Sequence, residues 1–105
     1  MVNKLALAAA LVVLGAGLPG SRAQTYPDRV VKLVVPFTSG SPVDVLARVV
    51  SQELSARLGQ TFIVDNRPGA GTTIGAKAVA TATADGYTLL IAGQSLVYSP
   101  MLYSN

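Results

Sequence analysis

The 105-residue chain has no cysteine, no histidine and no tryptophan, and only five acidic residues. Without cysteine there is no disulfide and no thiolate to act as nucleophile or metal ligand. Without histidine the commonest general base and the usual zinc ligand are missing as well. No Gly-Lys-Ser or Gly-Lys-Thr occurs, so a phosphate-cradling P-loop is excluded. The positive balance is also smaller than it first looks. Eight lysines and arginines face five acids, but Lys4 and Arg22 lie in the first 23 residues and leave six against five. With no basic cluster in the remainder, nucleic acid and anionic membrane lose their compositional support as partners.

What is present begins with a leader pattern. Lys4 precedes an apolar run from Leu5 to Leu18, and Ser21-Arg22-Ala23 places small residues where a signal peptidase reads. The run is shorter than the ~20 residues a spanning helix needs. Residues 1–23 are therefore expected to be a cleavable signal peptide, with Gln24 as the first mature residue and the periplasm as destination. No cysteine follows to carry a lipid anchor. Residues 24–105 suffice for one small α/β domain, whose core would be marginal at that size.

Strand and helix signals alternate from there. Val30 to Val35 is apolar except for Lys32, as in a strand buried on both faces of a parallel sheet. Val43, Leu46, Ala47, Val50, Leu54 and Leu58 recur at helical spacing, with Asp44, Arg48, Ser51, Gln52 and Ser55 mostly opposite, and Gly59 stops the helix. Thr61 to Val64 predicts a second strand, Thr72 to about Ala82 a second helix, and Tyr87 to Ala92 a third strand. In a βαβαβ unit the strands run parallel, so both strand-to-helix loops open at one edge of the sheet.

The first loop is Phe37-Thr38-Ser39-Gly40-Ser41-Pro42-Val43-Asp44, in which Ser41 and Asp44 have capping-box spacing and Pro42 suits the first helical position. The second is Asn66-Arg67-Pro68-Gly69-Ala70-Gly71-Thr72-Thr73-Ile74-Gly75. Two helix N-termini at one crevice favour a carboxylate or phosphate. A dinucleotide fits less well: the glycine spacing is one residue too long, the loop follows the second strand, and Ala92-Gly93-Gln94 offers no acid to hold a ribose. As an enzyme, the chain would have to rely on Ser39 or Ser41 as nucleophile with Asp44 as base, and a carboxylate at a helix N-terminus is a poor base. Asp44 reads as a cap, a ligand contact or both. Arg67 reads as a partner of Asp65 or Asp85 or as a contact to an acidic ligand. Gly75 reads as a point of close packing.

The ordered series Val35-Pro36-Phe37, Asp44, Leu58-Gly59-Gln60, Val64-Asp65-Asn66-Arg67-Pro68-Gly69-Ala70-Gly71, Ile74-Gly75-Ala76 and Asp85-Gly86-Tyr87-Thr88-Leu89-Leu90, with Pro100 and Tyr103, resembles the Bug family of periplasmic solute receptors. These receptors serve tripartite tricarboxylate transporters. The resemblance implies part of lobe 1 of a type II periplasmic binding protein fold, with no enzyme activity and no cofactor. It implies a small organic acid, such as a di- or tricarboxylate, as ligand and the transporter's membrane subunits as partners. It also implies that residues 24–105 stop within the first lobe, with the second lobe and hinge beyond them. The ligand-binding residues it points to are Phe37, Thr38, Ser39, Gly40, Ser41, Asp44, Asn66, Gly69, Ala70, Gly71, Thr72 and Ser95. The sequence departs from the family's usual Pro-Gly-Gly in the first loop, where Ser39, Gly40 and Ser41 stand. A truncated product without function and a Rossmann-like enzyme fragment remain the alternative readings.

Overall fold

The computed structural model describes residues 25–102, the side chain of Ser99 excepted. The expected signal peptide, its cleavage point and Tyr103 lie outside the described residues. Three strands form one parallel sheet: β1 (Val31–Val35), β2 (Phe62–Asn66) and β3 (Thr88–Leu90), in the order β2-β1-β3. The near-continuous apolar run takes the central place, where both faces are covered, and Val31, Leu33, Val34 and Val35 are all buried. β2 runs further than its apolar residues alone predict. Asp65 and Asn66 continue the ladder opposite Val34 and Val35. β3 is shorter than expected, pairing over Lys32–Val34.

Helix α1 (Pro42–Leu58) follows β1, and α2 (Thr73–Ala80) follows β2. A turn of 3-10 helix over Ala70–Thr72 precedes α2, and a further helix, α3 (Ser95–Leu102), follows β3 without having been expected. Gly59 stops α1 in the left-handed conformation at φ 70°, its N–H donating to the Ser55 carbonyl. The core on the α1 side joins Leu33, Val35 and Ala47 to Phe37, Val43, Val64, Leu89 and Ile91. Lys32, Val34, Asp65 and Thr88 look the other way, where they meet Ala78, Thr81 and Ala82 around a groove of about 260 Å³ at the C-terminal end of α2.

The orientation of α1 corrects the sequence reading. Its buried residues are Asp44, Ala47 and Ser51, whereas Leu46 and Val49 are 58% and 55% exposed and Val45, Val50 and Leu58 are also exposed. Polar demands set this rotation. Asp44 is held by partners at the sheet edge, and Ser55 Oγ donates to the Ser51 carbonyl while accepting from the Phe62 N–H at 2.9 Å. Small residues at positions 47, 51 and 55 then bring the helix close to the sheet. The apolar side chains of positions 45, 46, 49 and 50 are left outside.

At the opposite edge the entering chain is clipped to the turn before β3. Arg29 binds the Asp85 carboxylate at 3.0 Å and stacks over the Tyr87 ring, and the Tyr87 hydroxyl donates to Asp28. Asp85 is therefore committed to a structural clip, far from the loops that follow the strands.

Candidate functional site

Because β1 and β2 are parallel neighbours, the loops that follow them emerge side by side. The first is built around a buried carboxylate. Ser41 caps α1 by accepting from the Asp44 N–H at 3.2 Å. The expected return arm of the capping box goes one residue further out, where Asp44 Oδ2 accepts from the Gly40 N–H at 2.9 Å. Ser41's own N–H donates to the Thr38 carbonyl. Asp44 Oδ2 also accepts from Arg48 Nε at 3.0 Å, and Oδ1 accepts from Asn66 Nδ2 at 2.8 Å. Asp44 is only 2% exposed, and both its oxygens are engaged inside the protein.

These contacts hold the Asp44 carboxyl at a pKa of about 2. The Gly40 N–H is the largest cause, followed by Asn66 and Arg48, and all three outweigh the opposing effect of burial. Asn66 does more than hold Asp44. Its amide nitrogen also donates to the Phe37 carbonyl at 3.1 Å, and its oxygen accepts from the Arg48 guanidinium at 3.3 Å. Sequence reasoning placed Arg48 on the polar side of α1 and gave it no role. Its i, i+4 spacing from Asp44 was the available signal.

The second loop is of a different kind. Ala70, Gly71 and Thr72 have φ of 48°, 61° and 77°, three successive residues in the left-handed region, two of them not glycine. For Ala70 and Thr72 such backbone costs about 1–3 kcal/mol per residue, and it gathers at functional sites. The Thr72 N–H closes the turn on the Gly69 carbonyl, and the Thr73 N–H on that of Ala70. α2 then begins with no side-chain cap and no acid in its first turn. Gly75 lets it start close to the sheet: a Cβ there would lie 2.7 Å from Pro36 Cβ and 2.9 Å from the Arg67 carbonyl oxygen.

The two helix N-termini are therefore not equivalent. That of α1 is capped by Ser41 and offset by the Asp44 charge, while that of α2 carries no such compensation. Thr38, Ser39, Gly40, Gly69, Ala70 and Gly71 lie exposed at this edge, and Phe37, Ser41 and Asn66 are partly covered. Thr72 is buried, and α3 packs on the turn that contains it. The hydroxyls of Thr72 and Ser95 have no hydrogen-bond partner among the described residues. Gly93, in the loop after β3, lies beside the Phe37 ring, so this third loop borders the first. Arg67 pairs with Asp65 at 3.0 Å, and Lys32 approaches the same oxygen at 3.8 Å.

Residues 46–105 match the model of the tripartite tricarboxylate transporter family receptor, TctC. The chain belongs to this receptor family. A UPF0065 protein of Bordetella bronchiseptica is 54% identical over 92 residues, which are 87% of this chain and 28% of that protein. A solved R. palustris protein with adipate is 51% identical, with a TM-score of 0.62, covering 64% of this chain and 22% of the other. The periplasmic binding protein BugD is 48% identical, with a TM-score of 0.60, covering 62% and 22%. The chain spans about a quarter of the length of the relatives it matches. The matched family is a receptor family, and the solved relative BugD is a periplasmic binding protein. No group of histidine, cysteine, aspartate or glutamate capable of holding a metal occurs among the described residues.

Proposed function

We propose that the chain forms the first part of lobe 1 of a periplasmic receptor that binds a small organic carboxylate and delivers it to the membrane subunits of a tripartite tricarboxylate transporter. Residues 1–23 serve as the signal peptide in this reading, and a second lobe completes the site. The observation that carries it is the uncapped start of α2 behind a left-handed turn, beside the tethered first loop, in a chain of the TctC family. The carboxylate sits against Gly69–Thr72 and Thr38–Gly40. Phe37 and Ser95 border it, and Ser41, Asp44 and Asn66 support it from behind. Since the Gly40, Ser41 and Thr72 N–H groups already bond within the protein, the exposed Thr38 and Ser39 hydroxyls and the Gly69 and Ala70 amides supply the contacts. The relative with adipate supports a dicarboxylate as the ligand class. No cofactor, nucleic acid or chemical step takes part.

The test joins residues 25–102 to the remainder of the R. palustris relative and titrates this completed receptor calorimetrically with dicarboxylates, amino acids and nicotinamide nucleotides. Saturable binding of a dicarboxylate, abolished in Gly71→Val, is expected, because a branched side chain at φ 61° both strains the turn and blocks the anion. Binding of nucleotides alone would favour the Rossmann-like reading instead.

A further inference from the structure

Between Phe37 and Ser41 the first loop has little packing to hold it, since Thr38, Ser39 and Gly40 are exposed. Beyond the packing of Phe37 on the core, its links to the rest of the domain are polar. Gly40 is tied to Asp44, Phe37 to Asn66, and Asp44 to both Asn66 and Arg48. Asn66 is the last residue of β2 and stands directly before the second loop. One side chain thus joins the two loops that face the crevice. It uses both functions of its amide to do so: the nitrogen serves Asp44 and Phe37, and the oxygen serves Arg48.

We propose that Asn66 and Arg48 are positioning residues that set the affinity of the crevice by holding the first loop in register with the second, without touching the ligand. The inference rests on the carboxylate-receptor reading above. Chemistry at position 66 is restrictive. Aspartate would set a second carboxylate against Asp44, and leucine would lose all three hydrogen bonds while keeping the volume. Arg48 is a fork that reaches Asp44 and Asn66 together, which methionine cannot do.

A loop released from this lock samples other conformations, and ligand then meets the competent one only part of the time. If that fraction falls to about one tenth, the apparent affinity falls about tenfold. The loss appears in association, since contacts in the bound state are unchanged.

Two measurements test this. In the completed receptor, amide hydrogen exchange at Gly40 reports the lock, and Asn66→Leu and Arg48→Met are expected to remove its protection. In the completed receptor, stopped-flow with adipate is expected to show association slowed about tenfold in both variants with dissociation unchanged. Half-exposed Arg48 gives the milder variant if Asn66→Leu fails to fold, since Asp44 keeps its bonds from Gly40 and Asn66. Faster dissociation with unchanged association would mean that these residues touch the ligand, and would overturn the inference. Lower melting temperatures with unchanged kinetics would also overturn it, leaving a structural role only. A parent receptor that binds no dicarboxylate would refute the receptor reading itself, a result distinct from either of these.

Discussion

Replacing Gly75 with alanine sets two calculable effects against each other. Inside a helix, alanine is favoured over glycine by about 1 kcal/mol. Against this, the new Cβ would stand 2.7 Å from Pro36 Cβ, 2.9 Å from the Arg67 carbonyl oxygen and 3.0 Å from Pro36 Cα. Carbon contacts are comfortable at about 3.5–4.0 Å, so the two to Pro36 are short by about half an ångström or more, and the Arg67 oxygen is also too close. None of the three atoms belongs to a flexible side chain. Overpacking of this kind costs about 1–3 kcal/mol, and rigid neighbours put Gly75→Ala near the top of that range. The expected net loss is about 1–2 kcal/mol. The first turn of α2 must also move away from Pro36, taking the Gly69–Thr72 turn with it. Denaturant unfolding of the completed receptor should show the stability loss, and adipate affinity should fall with it. Gly59→Ala is the control. Its φ of 70° costs alanine about 1 kcal/mol, but no atom crowds the position and the site is a helix length away. It should lower stability and leave affinity unchanged. A Gly75→Ala variant as stable as the parent, with full affinity, would refute the packing argument.

Two other outcomes are expected. Carbon-13 NMR of the Asp44 carboxyl should show titration at about pH 2. Since the folded value lies below the unfolded one, the stabilisation is complete above about pH 4 and is lost as the pH falls through 2. Titration near 4 would mean that the Gly40, Asn66 and Arg48 contacts do not hold in solution. Residues 25–102 alone should bind no dicarboxylate at millimolar concentration by calorimetry, because Thr38–Gly40 and Gly69–Gly71 stay open to water on one side. Their exposed Leu46, Val49, Val97 and Met101 should give a broad thermal transition. Tight, saturable binding by these residues would overturn the two-lobe account.

The sheet was legible because its signals are local. Val31–Val35 is apolar enough to demand a central place, and Gly59, Pro42 and Ser41 punctuate α1 as their backbone preferences dictate. The face that α1 buries was not legible. Periodicity pointed to Leu46 and Val50, while the rotation is decided by Asp44 and Ser55, whose partners Gly40, Asn66 and Phe62 come together only in the fold. The left-handed path through Ala70 and Thr72 was hidden for a related reason, since neither residue type advertises a positive φ. Arg48 was missed because an i, i+4 pair on a helix usually belongs to solvent, and here one member is buried.

The central claim is that one carboxylate of the ligand rests where the loops after β1 and β2 meet. A crystal structure of the completed receptor with adipate tests it directly. A carboxylate is expected within hydrogen-bonding distance of the Gly69–Gly71 turn and of Thr38 or Ser39, with the Asp44–Asn66–Arg48 network intact behind it. A carboxylate held instead in the groove beside the C-terminal end of α2, which Lys32 and Arg67 line on the sheet face away from α1, would contradict it.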